Sequence, residues 1–202
     1  MCYNAEVSAT TFLGVTAVCL FLWYRNAPYD HPIALILFFV SLMQAVEWGL
    51  WRNLDCGTVN KLLTAFIPLL LCAQPLVLNW VVGHYNAGWG SGYKAIAYAI
   101  LPLIGFKAYQ VYTKYGQCAT VKDGHLQWST EYGAAPFSGI EHTLYSIAML
   151  YPLLTFKNTA FSVLYSAFAL LSFFIYSSSY TTTWPSIWCH FINFLAVFAL
   201  IK

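Results

Sequence analysis

The amino-acid sequence predicts an all-α fold, a polytopic membrane helix bundle of about seven transmembrane helices in a single domain, residues 1–202. The chain is 60% hydrophobic and only 8% charged, whereas a soluble domain has roughly 25% charged residues. Apolar stretches recur along it at about the 20 residues that a helix needs to cross a bilayer core. Because so few charges could not cover a water-facing surface, we expect the chain to be an integral, multi-pass membrane protein.

Seven stretches qualify, or nearly qualify, as spans. In order, the predicted spans are Val7–Tyr24, Pro32–Trp51, Lys61–Val82, Tyr93–Thr113, Ile140–Phe156, Thr159–Ser177 and Trp184–Ile201. No Lys or Arg precedes the first span, so we expect it to be retained rather than cleaved as a signal peptide. The fifth span is short and the border between the sixth and seventh is poorly marked, which leaves six spans as an alternative. Prolines 68, 75 and 102 lie inside spans and predict kinks there.

The predicted spans define two faces of the bundle. We call the side with residues 1–6, 52–60 and 114–139 the N-terminal face, and the side with residues 25–31, 83–92 and 157–158 the opposite face. Cations flank the two faces equally: Arg52, Lys61, Lys114 and Lys122 against Arg25, Lys94, Lys157 and Lys202. The positive-inside rule therefore gives no orientation. The net charge of +2 provides no basic patch, so we expect no nucleic-acid partner.

The longest polar segment, residues 114–139, lies on the N-terminal face. The run Lys122-Asp123-Gly124-His125 is typical of a turn. Alternation of apolar and polar residues follows over Leu126–Ser129, as in a strand. The sequence therefore predicts a short hairpin covering this face.

Polar side chains inside the predicted spans are the candidate functional residues, since ionisable groups in hydrocarbon are costly and are retained for a purpose. The cavity candidates are Gln44, Glu47, Lys107, Gln110, Glu141, His142, Tyr145, His190 and Asn193. Spacings of three residues place Gln44 with Glu47 and Lys107 with Gln110 on one helical face each.

The depths of these residues predict that they meet. At the helical rise, Glu47 lies about 7 Å from the N-terminal face, and Lys107 and His190 each lie about 10 Å from it. Glu141 and His142 are expected near the entrance. If the faces converge, they line one polar cavity open to the N-terminal face. The alternative is a set of unrelated polar residues, or a static ion pair that holds helices together.

A divalent metal is the candidate cofactor. Glu47, His142 and His190 are of the residue types that bind zinc or iron, and three such ligands are enough for a site. No two of them share a helix, so no spacing motif supports the site.

Three of the six cysteines, Cys2, Cys56 and Cys118, fall on the N-terminal face. If that face is non-cytoplasmic, two of them are expected to form a disulfide, and if it is cytoplasmic they stay reduced. The preferred pair is Cys2 with Cys118, which would hold the polar segment over the cavity.

The opening Met1-Cys2-Tyr3-Asn4-Ala5-Glu6-Val7-Ser8 resembles the Met-Cys-Phe-Ser-Ala-x-x-Ser start of an uncharacterised family of small polytopic membrane proteins in bacteria, protists and large DNA viruses. Gln44-x-x-Glu47 with Trp48, and His142-x-x-Tyr145, are similar to patterns in that family. The likeness is best up to Trp51. The resemblance implies the topology and singles out the residues of these patterns as candidates, but it implies no activity.

A second likeness is to alkaline ceramidases, which are seven-helix zinc hydrolases with an intramembrane Ser, Asp and three His. Ser41 and His190 lie in similar helices here. The second histidine of the last helix is absent, because position 194 is Phe and position 186 is Ser. That absence argues against zinc hydrolysis.

Three functions follow from these patterns. The first is a small-solute or proton-coupled transporter with the cavity as its site. The alternatives are an intramembrane metal-dependent or acid–base hydrolase acting on a lipid-like substrate, and a structural or assembly subunit. The expected partners are membrane lipid and a small molecule or ion.

Overall fold

A computed structural model of the chain describes residues 4–86, 90–128, 140–179 and 193–200. Its elements are α1 (Ala5–Arg25), α2 (Asp30–Trp51), α3 (Thr58–Tyr85), α4 (Ser91–Thr113), β1 (Thr120–Lys122), β2 (His125–Gln127), α5 (Ile140–Thr155), α6 (Thr159–Ser179) and α7 (Leu195–Leu200). The all-α class is confirmed. Among the described residues, helices α1 to α4 are long and apolar enough to cross a membrane. The last predicted span is described only over its end, so the count of seven spans stays a prediction.

Local capping fixes the ends of α1. The Asn4 side chain accepts a hydrogen bond from the backbone N–H of Val7 at 2.8 Å, which satisfies one of the free donors at a helix start. At the other end Asn26 adopts a left-handed conformation, with φ of 52°, and donates its N–H to the Leu22 carbonyl. Asparagine tolerates that conformation better than most residues. The chain therefore reverses at once into α2.

The helices pack mostly on their neighbours in the chain. Helix α1 lies along α2, α2 packs on α3, α3 packs on both α4 and α5, and α5 packs on α6. Helix α7 returns to pack on α1 and α2. The Arg25 guanidinium connects these three helices: it binds the Asp30 carboxylate through two hydrogen bonds of 2.8 and 2.7 Å and the Ala199 carbonyl at 3.2 Å.

The predicted hairpin is confirmed. Strands β1 and β2 pair antiparallel with Lys122 opposite His125. The two turn residues, Asp123 and Gly124, have φ of 53° and 75°, as the tight primed turns of hairpins require. The hairpin follows α4 on the N-terminal face.

A disulfide joins Cys56 to Cys118, with Cα atoms 5.6 Å apart. The predicted pairing of Cys2 with Cys118 is therefore wrong. The physical reason is the docking of residue 119 on the first turn of α3: the Asn60 side chain bonds both the N–H and the carbonyl of Ala119. This contact brings Cys118 to the α2–α3 link that carries Cys56.

Candidate functional site: the polar interior of helices α2 to α5

Glu47 lies in the second half of α2 and has no exposed surface. Its Oε2 accepts a hydrogen bond from Gln44 Nε2 at 3.0 Å, and Gln44 is also fully buried. Both residues point into the bundle because they lie one helical turn apart on the same face. The predicted placement of this pair on one buried face is confirmed.

Lys107 is the corresponding residue of α4. Its side chain has no exposed surface, and its Nζ donates to Gln110 Oε1 at 3.0 Å. A lysine at a helix end often extends its amine to the surface, but this one is held inside. Helices α2 and α4 thus each hold a buried ionisable group, of opposite type, beside an amide, and α2 buries a second acid, Asp30, at its other end.

The contacts near the opposite face set the position of each helix along the bundle axis, here called its level. The Tyr29 and Phe156 rings meet at 5.5 Å, and Tyr93 Oη lies 3.0 Å from Thr155 Oγ1. Counting the helical rise from these two contacts, Glu47 and Lys107 each lie about 20–27 Å from the opposite face, within about two turns of each other. The meeting of Glu47 and Lys107 in one cavity stays a prediction.

The described part of α5 lies beside the second half of α3. Asn79 Nδ2 donates to the Ala148 carbonyl at 3.1 Å, and α3 and α5 run in the same direction from the N-terminal face. Residue 140 therefore lies opposite about residue 71 of α3, roughly 20 Å along the axis from Thr58. On this register the backbone of residues 141 and 142 lies beside about residues 72 and 73 of α3. The prediction that Glu141 and His142 sit near the entrance stays a prediction.

The side chains of Glu141 and His142 lie outside the described residues, so their part in a shared cavity stays a prediction. The next polar residue of α5, Tyr145, is buried and donates its hydroxyl to Gln74 Oε1 of α3 at 3.0 Å. Tyr145 is thus part of an interhelical contact, which the sequence did not indicate.

Gln74 and Asn79 are buried polar residues of α3 that sequence reasoning missed. Gln74 Nε2 is buried without a hydrogen-bond partner in the described part of the chain. Asn79 Nδ2 bonds two carbonyls, those of Pro75 and Ala148. The available signal was two amides interrupting an apolar run beside an internal proline, a place where backbone groups need new partners.

Asn193 lies at a different level from Glu47. It is buried just before α7, whose Ala199 carbonyl contacts Arg25. By the helical rise Asn193 is about 9 Å from that contact, whereas Glu47 is about 26 Å from Asp30. Asn193 therefore stands apart from the level shared by Glu47 and Lys107.

The metal prediction is not tested, because His190 and the side chain of His142 lie outside the described residues. Within residues 4–86, 90–128, 140–179 and 193–200, three His, Cys, Asp or Glu side chains do not come together in a group that could hold a metal ion. Glu47 is the described member of the predicted set, and it accepts a hydrogen bond from the Gln44 amide.

The hairpin covers the N-terminal face with a buried histidine. His125 is almost fully buried beside Leu126 and Trp128. Burial disfavours the imidazolium and lowers the pKa of His125 below its ordinary value. The cap is thus fastened by the disulfide and by Asn60, and it buries a histidine whose charged form is disfavoured.

Comparison of the chain with protein-family models, with curated proteins and with solved structures gives no match. The resemblance of its opening motif to a family of small membrane proteins stays a prediction, and the chemistry of the interior residues is the basis for the function proposed next.

Proposed function

We propose that the chain is an integral, multi-pass membrane protein that moves protons, together with a small polar solute, through the interior of α2 to α5. Membrane insertion is supported by α1 to α4, which are long and apolar, and by large apolar side chains on the outside of the bundle, such as Leu13, Leu20, Leu171 and Phe174. A helix that is apolar on all sides is typical of a span.

The observation that carries the transport proposal is the fully buried Glu47 carboxyl group, hydrogen-bonded to Gln44. A carboxylate inside a bilayer is costly and is typical of proton relays and ion pathways. Glu47 is the proposed proton-binding group. Lys107, buried at a similar level, is proposed to form the other side of the solute site.

Lys107 indicates the kind of solute. Its buried side chain is the proposed partner of the cargo, because intramembrane ionisable groups are typical of substrate pathways. A solute carrying a carboxylate or phosphate is therefore the expected cargo.

A proton-flux measurement in vesicles tests the proposal. Purified protein is reconstituted with a trapped pH-sensitive dye, a pH gradient is imposed, and panels of amino acids, organic acids and nucleotides are added. We expect at least one panel to accelerate collapse of the gradient. Glu47→Gln, which keeps an oxygen acceptor for Gln44, should reduce the rate to that of protein-free vesicles.

The matched control is Glu6→Gln, since Glu6 is an exposed acid on α1 that forms a 3.6 Å ion pair with Arg52. Its rate should equal that of the wild type. Circular dichroism and size-exclusion profiles establish that each variant is folded. If the folded wild-type protein does not accelerate proton flux with any of the panels, the proposal is overturned.

A structural role is the second candidate function. It is favoured by the hydrogen bonds that join α3 to α5, from Tyr145 to Gln74 and from Asn79 to Ala148. On this alternative the interior polar groups only hold helices together. It predicts that Glu47→Gln lowers the melting temperature and leaves proton flux at the wild-type level.

A further inference from the structure

A second feature, remote from the polar interior, lies between α2, α6 and α7 near the opposite face. It is a groove of about 220 Å³, lined chiefly by Ile33, Phe161, Leu164, Leu195 and Phe198. An apolar cavity of about 150 Å³ is enough to hold a benzene molecule. The groove therefore has room for a segment of hydrocarbon chain.

The groove contains a polar donor at the start of α6. Asn158 caps that helix, because its Oδ1 accepts from the Phe161 backbone N–H at 3.2 Å. Asn158 is 94% buried and lines the groove, and its Nδ2 has no hydrogen-bond partner within the described ranges. A buried donor without a partner is rare, and it points to an acceptor supplied by a ligand.

The electrostatics at this point favour an anion. The first turn of a helix carries a partial positive charge, although the N–H groups of Thr159 and Phe161 are already bonded to the Lys157 carbonyl and to Asn158 Oδ1. Lys157 is exposed directly before Asn158. On the rim formed by α7, the Ala199 carbonyl is bound by Arg25. An anionic group placed at the start of α6 would thus meet an amide donor, a helix start and a lysine.

The disulfide gives the orientation of this groove. Disulfides persist in oxidising compartments, so the Cys56–Cys118 pair places the N-terminal face away from the cytoplasm. The opposite face, which carries the groove and Lys157, then meets the cytoplasmic leaflet, which is the anionic one.

We propose that the α2–α6–α7 groove binds one acyl chain of an anionic phospholipid, with the lipid phosphate held by Asn158 Nδ2, the start of α6 and Lys157. The proposal uses membrane insertion but neither the proton flux nor the solute site. It goes beyond the transport function, and it stands if the flux measurement fails.

Native mass spectrometry of the full-length protein, with phosphatidylglycerol and phosphatidylcholine of identical acyl chains mixed in equal amounts, tests the lipid site. The wild type should retain one phosphatidylglycerol in preference to phosphatidylcholine. Asn158→Asp keeps the capping oxygen but exchanges the donor for a negative charge, and should weaken retention of phosphatidylglycerol about tenfold or more.

Ala160→Phe fills the groove, since Ala160 is one of its lining residues, and should abolish retention of both lipids. Ala167→Phe is the control, because Ala167 is exposed on the same helix outside the groove; it should bind as the wild type does. Equal retention of the two lipids by the wild type would overturn the proposal. Unchanged retention of phosphatidylglycerol in both Asn158→Asp and Ala160→Phe would also overturn it. If Asn158→Asp fails to fold, Lys157→Gln is used in its place and should also lower the preference for phosphatidylglycerol.

Discussion

Asn60 holds the backbone of Ala119 as a second strand would: its Nδ2 donates to the Ala119 carbonyl at 3.1 Å, and its Oδ1 accepts from the Ala119 N–H at 2.9 Å. The same N–H also lies 2.9 Å from Thr64 Oγ1. All three residues are buried. The segment after α4 is therefore fastened to α3 at a defined point.

Asn60→Ala should lower the free energy of unfolding by about 1–3 kcal/mol, because buried polar groups of residue 119 lose their partner. Thermal unfolding in detergent, followed by circular dichroism, measures the effect. The control is Thr58→Ala at the exposed start of the same helix. A melting temperature equal to that of the wild type in Asn60→Ala would show that the contact does not stabilise the fold.

Removal of the disulfide by Cys56→Ser with Cys118→Ser should destabilise the protein. The bond closes a loop of 62 residues, for which the chain-entropy model gives at most about 4 kcal/mol. The melting temperature of the wild type should fall on addition of reductant, and that of the double variant should not change. The buried thiols Cys19 and Cys72 remain in both proteins. Insensitivity of the wild type to reductant would contradict the pairing.

The stability of the hairpin cap should depend on pH through His125. Because burial lowers the pKa of His125 in the folded state, the unfolded chain binds more protons below its ordinary pKa of about 6.5. The contribution of His125 to the free energy of unfolding is thus fully present above that pH and is lost as the pH falls. Melting temperatures measured from pH 8 to pH 5 should decline more in the wild type than in His125→Gln. The exposed His84 provides the control variant His84→Gln, which should decline as the wild type does.

The contact from Tyr145 to Gln74 allows a test of its structural role. Tyr145→Phe removes the hydroxyl and should cost about 1–2 kcal/mol, because the Gln74 carbonyl is left buried without its donor. Adding Gln74→Leu should recover most of the loss, since two apolar partners need no hydrogen bond. The melting temperatures of the single and double variants measure the coupling. Additive losses in the double variant would mean that the pair does not interact.

The parts of the site that follow from local spacing were predictable from the sequence. Gln44 and Glu47 share a face because they are three residues apart, and the Asp123-Gly124 turn follows from residues that accept positive φ. Both are properties of a few neighbouring residues, so they do not depend on how the helices are arranged.

The parts that depend on the register between helices were not predictable. The level of α5 depends on the contact of Asn79 with Ala148, which are 69 residues apart. The partner of Cys118 depends in the same way on the contact of Asn60 with Ala119. Gln74 and Asn79 have no helical periodicity with the other polar residues, so only their place beside Pro75 indicates them.

The three-way contact of Arg25, Asp30 and Ala199 has a consequence for biosynthesis. Arg25 meets Asp30 as soon as the first two helices have been made, but its carbonyl partner is 174 residues further along the chain. A ribosome must therefore complete nearly the entire polypeptide before the first helix acquires its last neighbour. Until then the side of α1 that packs on α7 stays uncovered. A chain arrested during translation would expose this surface to quality-control proteases.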